Sequence, residues 1–243
     1  MGSIERQDIR AKLGEDGTAP FRSLADLLER RFSCRAFLPD EVPRAVLEQM
    51  VTLAQMTPSW ANTQPWQVTI TSGAATQRLR EALLADFDSP EPFAAPDLAF
   101  PDTYSGARLD RRREVGWQLY ESTGVAKGDR EASARQAREN QRLFGAPHAL
   151  LIHTNREMGT YGAMDCGLYL GNLLLAAESL GLGMIAQAAL AQHCGVIRDL
   201  FGIPDDTVFV VGGSIGYPDR DNPVNQFRSR RAPFSESITW LDE

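Results

Sequence analysis

Pro58-Ser59-Trp60-Ala61-Asn62-Thr63-Gln64-Pro65-Trp66 is the stretch from which this 243-residue chain is best read. The primary amides of Asn62 and Gln64 each offer a donor and an acceptor, matching an imide edge or the polar ring atoms of a heterocycle. Pro58 and Pro65 bracket the run and reduce the entropy lost when those amides are held in place. Ser59 adds a hydroxyl and Trp60 a flat apolar surface, while Trp66 opens a strand and reads as core. Taken alone, the run also fits a structural loop whose amides cap neighbouring backbone.

A second donor-rich segment, Arg31-Phe32-Ser33-Cys34-Arg35, lies upstream. In extended backbone, residues two apart face the same way at about 6.6 Å. Arg31, Ser33 and Arg35 then form one donor row, and Phe32 and Cys34 pack inward. Two guanidiniums flanking a hydroxyl suit a phosphate and a polyol, because arginine makes bidentate charge-assisted bonds to phosphate oxygens. By itself this segment fits a solvated charged turn equally well. A third segment, Phe227-Arg228-Ser229-Arg230-Arg231, sits near the other end. The three build one anion-and-ring site if the fold brings the ends together.

Size and composition narrow the classes. The length suits one large domain or two small ones, with ample chain to bury a core. A net charge of -7 argues against nucleic acid or an anionic membrane as the main partner. Cys34, Cys166 and Cys194 are odd in number and lack a CxxC pair, which points to a reducing cytoplasm rather than a disulfide framework. His148, His153 and His193 have no metal-ligand spacing, so no metal is expected. The most apolar run, Tyr161 to Leu182, carries Asp165, Asn172 and Glu178 and reads as a buried helix, not a membrane span.

Residues 1–20 are polar and non-periodic, a flexible tail; 21–243 read as a single domain. Ser23 is placed as the cap of a helix bearing Leu24, Leu27 and Leu28. Helices are predicted at 43–56, 74–87, 108–123, 129–143, 161–180 and 192–201. Strands are predicted from Trp66 to Thr71, from His148 to Thr154, at 183–188 and from Thr207 to Ser214. Helix 161–180, apolar nearly all round, implies burial in the centre or in a subunit interface. Between Asp88 and Gly106 the text changes, with Pro90, Pro92, Pro96 and Pro101 among Phe93, Phe100 and Tyr104. Such a stretch reads as a lid, and 88–143 as the substrate region. The glycines of Gly212-Gly213-Ser214-Ile215-Gly216 and Gly181-x-Gly183 match neither a P-loop nor a dinucleotide fingerprint and read as element terminators.

The three segments together resemble the nitroreductase-like FMN oxidoreductases. The likeness continues through Gly181 to Leu190 (GLGMIAQAAL), Gly212 to Pro218 (GGSIGYP) and Arg228 to Pro233 (RSRRAP), and covers roughly residues 23–240. It implies an α+β fold, a central mostly antiparallel sheet surrounded by helices, assembled as a homodimer with FMN at the subunit interface. It also implies that Arg31, Phe32, Ser33 and Arg35 hold the phosphate and ribityl chain. Pro58, Ser59, Trp60, Asn62 and Gln64 would come from the partner subunit. Gln187, Ala188 and Ala189 would run past the flavin ring, and Arg228, Ser229 and Arg231 would complete the phosphate clamp. Ser229-Arg230-Arg231 stands where relatives carry Lys-Ser-Arg, which leaves open which neighbour assists Arg231. Contacts from Asn140 or Arg142 to the flavin are left open too.

The implied chemistry is ping-pong: NAD(P)H gives hydride to the flavin and leaves, and an electron-poor aromatic such as a nitroarene takes its place. The cofactor carries that chemistry, so no catalytic side chain is assigned. Phe93, Tyr104, Arg113, Trp117 and Tyr120 are the candidate substrate contacts, and the resemblance leans toward a nitrobenzoate-reductase-like branch. Reductive dehalogenation, ene or quinone reduction, and non-catalytic flavin binding are the alternatives. The choice between NADH and NADPH is not written in these motifs.

Overall fold

Four antiparallel strands in the order β1-β2-β4-β3 form the centre of the computed structural model, which describes residues 18–91, 93 and 95–242. The strands are β1 (Gln67–Thr71), β2 (His148–Asn155), β3 (Gly183–Gln187) and β4 (Thr207–Gly216). Among the described residues seven helices surround them: α1 (Ala19–Arg30), α2 (Arg44–Ala54), α3 (Ala74–Phe87), α4 (Gly106–Ser122), α5 (Arg130–Arg138), α6 (Gly159–Ser179) and α7 (Cys194–Phe201). This is the α+β architecture that the sequence implies.

The core follows from the period-2 geometry of a strand covered on both faces. Leu150 and Ile152 of β2 point one way, into a cluster with Leu47 and Met50 of α2 and Tyr169 and Leu173 of α6. Ala149 and Leu151 point the other way, toward Leu79 and Leu83 of α3, Leu190, Ile197 and Phe209. Trp66 is buried as expected, stacked on Tyr169 at 4.7 Å with its indole N–H donating to Gln55 Oε1 at 2.8 Å. Burying a large apolar side chain this fully contributes about 1.5–3 kcal/mol.

Several expected boundaries move for identifiable reasons. The first helix begins at Ala19, with Pro20 preset for its first turn, so Ser23 is internal. Its hydroxyl donates back to Ala19 O at 3.0 Å instead of capping. Ala19 and Pro20 therefore belong to α1 and Thr18 directly precedes it, while residues 1–17 of the expected tail lie outside the described residues, as does Pro92 of the lid. Helix α5 stops at Arg138 rather than 143, because the chain tightens into a turn where Leu143 and Phe144 take φ of +56° and +52°. Gly212 and Gly213 lie inside β4 and terminate nothing. A Cβ on Gly213 would sit 2.7 Å from Ile185 O, so close backbone approach is what requires glycine there.

Among its described residues the segment between α3 and α4 carries no helix or strand, and several contacts anchor it. Asp88 pairs with Arg138, Phe93 packs edge-on against His193 at 5.0 Å, and Asp97 accepts from Phe209 N at 2.6 Å while pairing with Arg198.

Candidate functional site

The fold brings the first and third donor segments together. Leaving α1, residues 31–35 run extended beside β3: Ser33 bridges Met184 in parallel, and Cys34 N donates to Met184 O at 3.3 Å. The expected alternation is present, with Phe32 and Cys34 buried and Ser33 exposed. The chain after β4 returns alongside. Leu38 N donates to Tyr217 O at 2.9 Å and Asp219 N to Ala36 O at 3.1 Å. Asn225 bolts the two together from a buried position. It accepts from Arg35 N at 2.8 Å and donates to Ala36 O at 2.8 Å and Asp219 O at 2.7 Å.

That junction concentrates guanidinium charge. Burial and then the charge of Arg231 lower the Arg31 pKa from its ordinary value, with Glu178 opposing. Burial, followed by Arg220, lowers that of Arg228, and Arg31 contributes in the same direction. Arg228 lies over the Phe32 ring at 4.3 Å, and Arg35 over Phe227 at 5.7 Å. The counter-charge is Glu178 at the end of α6, buried and held by Arg30 at 3.1 Å with Arg220 at 4.0 Å. Arg231 donates to neutral oxygens: Ser229 O, Ser229 Oγ and Arg230 O. Mutually repelling cations from opposite ends of a chain make a site whose repulsion a dianion relieves.

The middle segment is built differently. Ala61, Asn62 and Gln64 take φ of +47°, +58° and +48°, left-handed values that non-glycine residues hold at a cost of about 1–3 kcal/mol each. The loop is fastened to the first half of α6: Trp60 N donates to Asp165 Oδ2 at 3.0 Å, and its ring lies 4.9 Å from Tyr161. Ser59 Oγ accepts from Gln64 N at 2.8 Å. The amides of Asn62 and Gln64 meet each other at 3.3 Å and are exposed, as is Trp60 at 62%.

Asp165 and Glu178 stand thirteen residues apart on α6, roughly 20 Å at 1.5 Å per residue. The loop and the arginine junction therefore sit at opposite ends of one helix. Within the single chain the structure unites two of the three segments and separates the third.

Gln187 is buried, its side chain donating to Asn140 O at 2.9 Å, and the turn that follows carries Ala188, which is exposed, and Ala189, which is partly buried. Asn140 Nδ2 bonds Ala137 O, and Arg142 pairs with Glu139. The substrate candidates are dispersed. Phe93 packs on His193; Tyr104 lies under Arg112 at 5.1 Å; Arg113 is exposed. Trp117 and Tyr120 line a surface hollow of about 520 Å³, with Lys127 over Trp117 at 5.7 Å. A larger hollow of about 560 Å³ lies between α4 and residues 229–233, crossed by the pairs Arg111–Glu236 and Arg230–Glu114.

Three residues that matter here were not singled out as site residues from sequence. Asp165 and Glu178 did leave a trace, as acids in an otherwise apolar run. Asn225 left none, since its partner Arg35 is 190 residues away.

The chain matches the nitroreductase family model over residues 28–217. It is 33% identical over 228 residues to nitroreductase NfnB of Mycolicibacterium smegmatis, covering 92% of this chain and 96% of that protein. It is 32% identical over 201 residues to a 4-nitrobenzoate reductase of Pseudomonas putida, covering 83% and 88%. Among solved structures, the FMN-dependent nitroreductase NfnB from Mycobacterium smegmatis in complex with NADPH superposes with a TM-score of 0.86 at 31% identity, covering 91% of this chain and 99% of that one. With the arginine junction and the amide loop in place on the same four-stranded frame, the chain belongs to the nitroreductase family.

Proposed function

We propose that this protein is an NAD(P)H-dependent FMN oxidoreductase that reduces nitroaromatic compounds. The observation that carries the reading is the convergence of Arg31 and Arg228 with Arg231 from opposite ends of the chain. The donor set fits FMN: guanidiniums and the Ser33 and Ser229 hydroxyls suit a phosphate and polyol, and the Asn62 and Gln64 amides suit an imide edge. When bound, FMN supplies hydride transfer between the nicotinamide and the acceptor. Arg31, Phe32, Ser33, Arg35, Arg228, Ser229 and Arg231 hold and orient the phosphate end. The Ala188–Ala189 backbone is placed along the ring. Relatives named as nitroreductases and as a 4-nitrobenzoate reductase support a nitroaromatic acceptor.

The working unit in this reading is a homodimer. Tyr161, Met164 and Leu168 form an exposed apolar stripe on α6, running from the loop's contact at Tyr161 toward the middle of the helix. A two-fold copy packed antiparallel on that stripe sets the Ser59–Gln64 loop of one protomer against the arginines of the other. Trp117 and Tyr120 of α4 offer aromatic surface to the acceptor. No described helix is long and apolar enough to cross a membrane, and three buried free thiols suit a reducing cytoplasm.

The test is anaerobic. Purified protein should carry yellow FMN that NADPH or NADH bleaches and that 4-nitrobenzoate or nitrobenzene then restores. Flavin that neither nicotinamide bleaches would contradict the reading.

A further inference from the structure

A second polar assembly lies outside both the arginine junction and the amide loop. Gln141, Gln187 and His193 are 1–2% exposed, yet all three are polar and connected. Asp86, near the end of α3, lies 2.5 Å from His193 Nδ1. On the other side of the ring, Nε2 lies 3.1 Å from the Gln141 side-chain amide. With the Gln141 carbonyl turned to accept from Nε2, its nitrogen donates to Ala137 O at 3.2 Å and Arg138 O at 3.3 Å. Those carbonyls lie at the C-terminal end of α5, the second helix of the 88–143 substrate lid region, where backbone N–H groups of the following turn share them. One residue earlier, Asn140 O accepts from Gln187 Nε2 at 2.9 Å, and Gln187 Oε1 accepts from Ser214 Oγ of β4.

The base of the lid is thus fastened to both ends of the 187–193 segment, whose Ala188 and Ala189 lie along the ring in the reading above. Phe93 presses edge-on against His193 and adds the loop before α4 to the same joint. Apolar residues would fill this volume without desolvating amides and an imidazole. A satisfied buried network instead fixes one relative placement of the parts it joins.

We propose that Asp86, His193, Gln141 and Gln187 couple the lid to the ring-facing turn, making His193 and Gln141 positioning residues for hydride transfer. This rests on the flavoenzyme reading. Gln141→Leu keeps the volume and removes the link. Hydrogen exchange on the cofactor-free protein should then quicken together, about tenfold, in 130–138 and in 188–193. In the FMN-loaded variant the flavin absorption band should shift and reduction by NADPH should slow about tenfold, with FMN affinity unchanged. Faster exchange confined to 130–138, with the turn and the flavin band unaltered, would reduce Gln141 to a helix cap and overturn the proposal. If wild-type flavin is not bleached by NADPH, the proposed function fails, while the exchange result still decides the coupling. Asp86→Asn, at the partly exposed end, gives the same readouts should Gln141→Leu fail to fold.

Discussion

The two ends of α6 hold donor segments of opposite character. At its C-terminal end, Arg31–Arg35 and Arg228–Arg231 form a junction completed inside one protomer, with backbone bonds and a buried asparagine fixing its two strands. At its N-terminal end, Ser59–Gln64 is exposed and held in left-handed backbone, with its two amides turned on each other. Backbone strain of this kind persists where the surroundings demand it. The contrast teaches that one half of the candidate site is prebuilt within the chain and the other is exposed, the half that the proposed dimer would set against a second copy.

Separating the copies should have the largest effect. Leu168 is 54% exposed at the end of the apolar stripe nearest the middle of α6, so Leu168→Asp leaves the fold intact but places an unpaired charge at the proposed contact, a cost of several kcal/mol. Sedimentation should show a monomer, and FMN titration should show loss of retention although the arginines are untouched. A monomer that keeps FMN at full affinity would break the comparison.

Asn225→Ala attacks the prebuilt half. It takes the partner from Arg35 N and from Asp219 O, while Ala36 O keeps its bond from Asp219 N, for a loss of about 2–4 kcal/mol and a Tm lower by roughly 5–10 °C. An unchanged melting curve would show that the junction does not depend on that bolt. Arg231→Ala should weaken FMN retention about 10–100-fold, the worth of a charge-assisted bond, while leaving the sedimentation coefficient alone.

Alkali gives the smallest effect. Burial pushes the Cys34 thiol from 9.0 to about 12, and burial with the Asp165 charge does the same to Cys166. Both raised values mean the folded state keeps protons that the unfolded chain loses above pH 9. Stability from these groups is therefore full below that pH and falls as pH rises toward 12. Melting temperatures taken from pH 8 to 11 should decline, less steeply in Cys34→Ala. A flat profile would mean that the two thiols, Cys34 at the junction and Cys166 beside Asp165, are not sealed.

The sequence was legible where physics is local. The alternation in Phe32 to Cys34, the continuous run of β2 and the limits of α3 all appear as read, because strand and helix periods are written residue by residue. The first helix was mis-started because Ser23 looked like a cap, whereas Pro20 fixed the first turn. The glycines of β4 looked like stops because close approach to Ile185 O depends on a neighbouring strand. At the site, donor types were visible but their grouping was not. Nothing near Asn62 in sequence says that its loop sits a helix length from Arg31.

Subunit complementation tests that separation most directly. A mixed dimer is prepared from one Arg231→Ala subunit and one subunit carrying Asn62→Ala and Gln64→Ala, and its FMN content is titrated. If each site draws its arginines from one copy and its amides from the other, one site carries both lesions and the other none, so one FMN binds per dimer at wild-type affinity. If both segments serve the same protomer's site, every site is damaged and no FMN binds at that affinity, which would contradict the account.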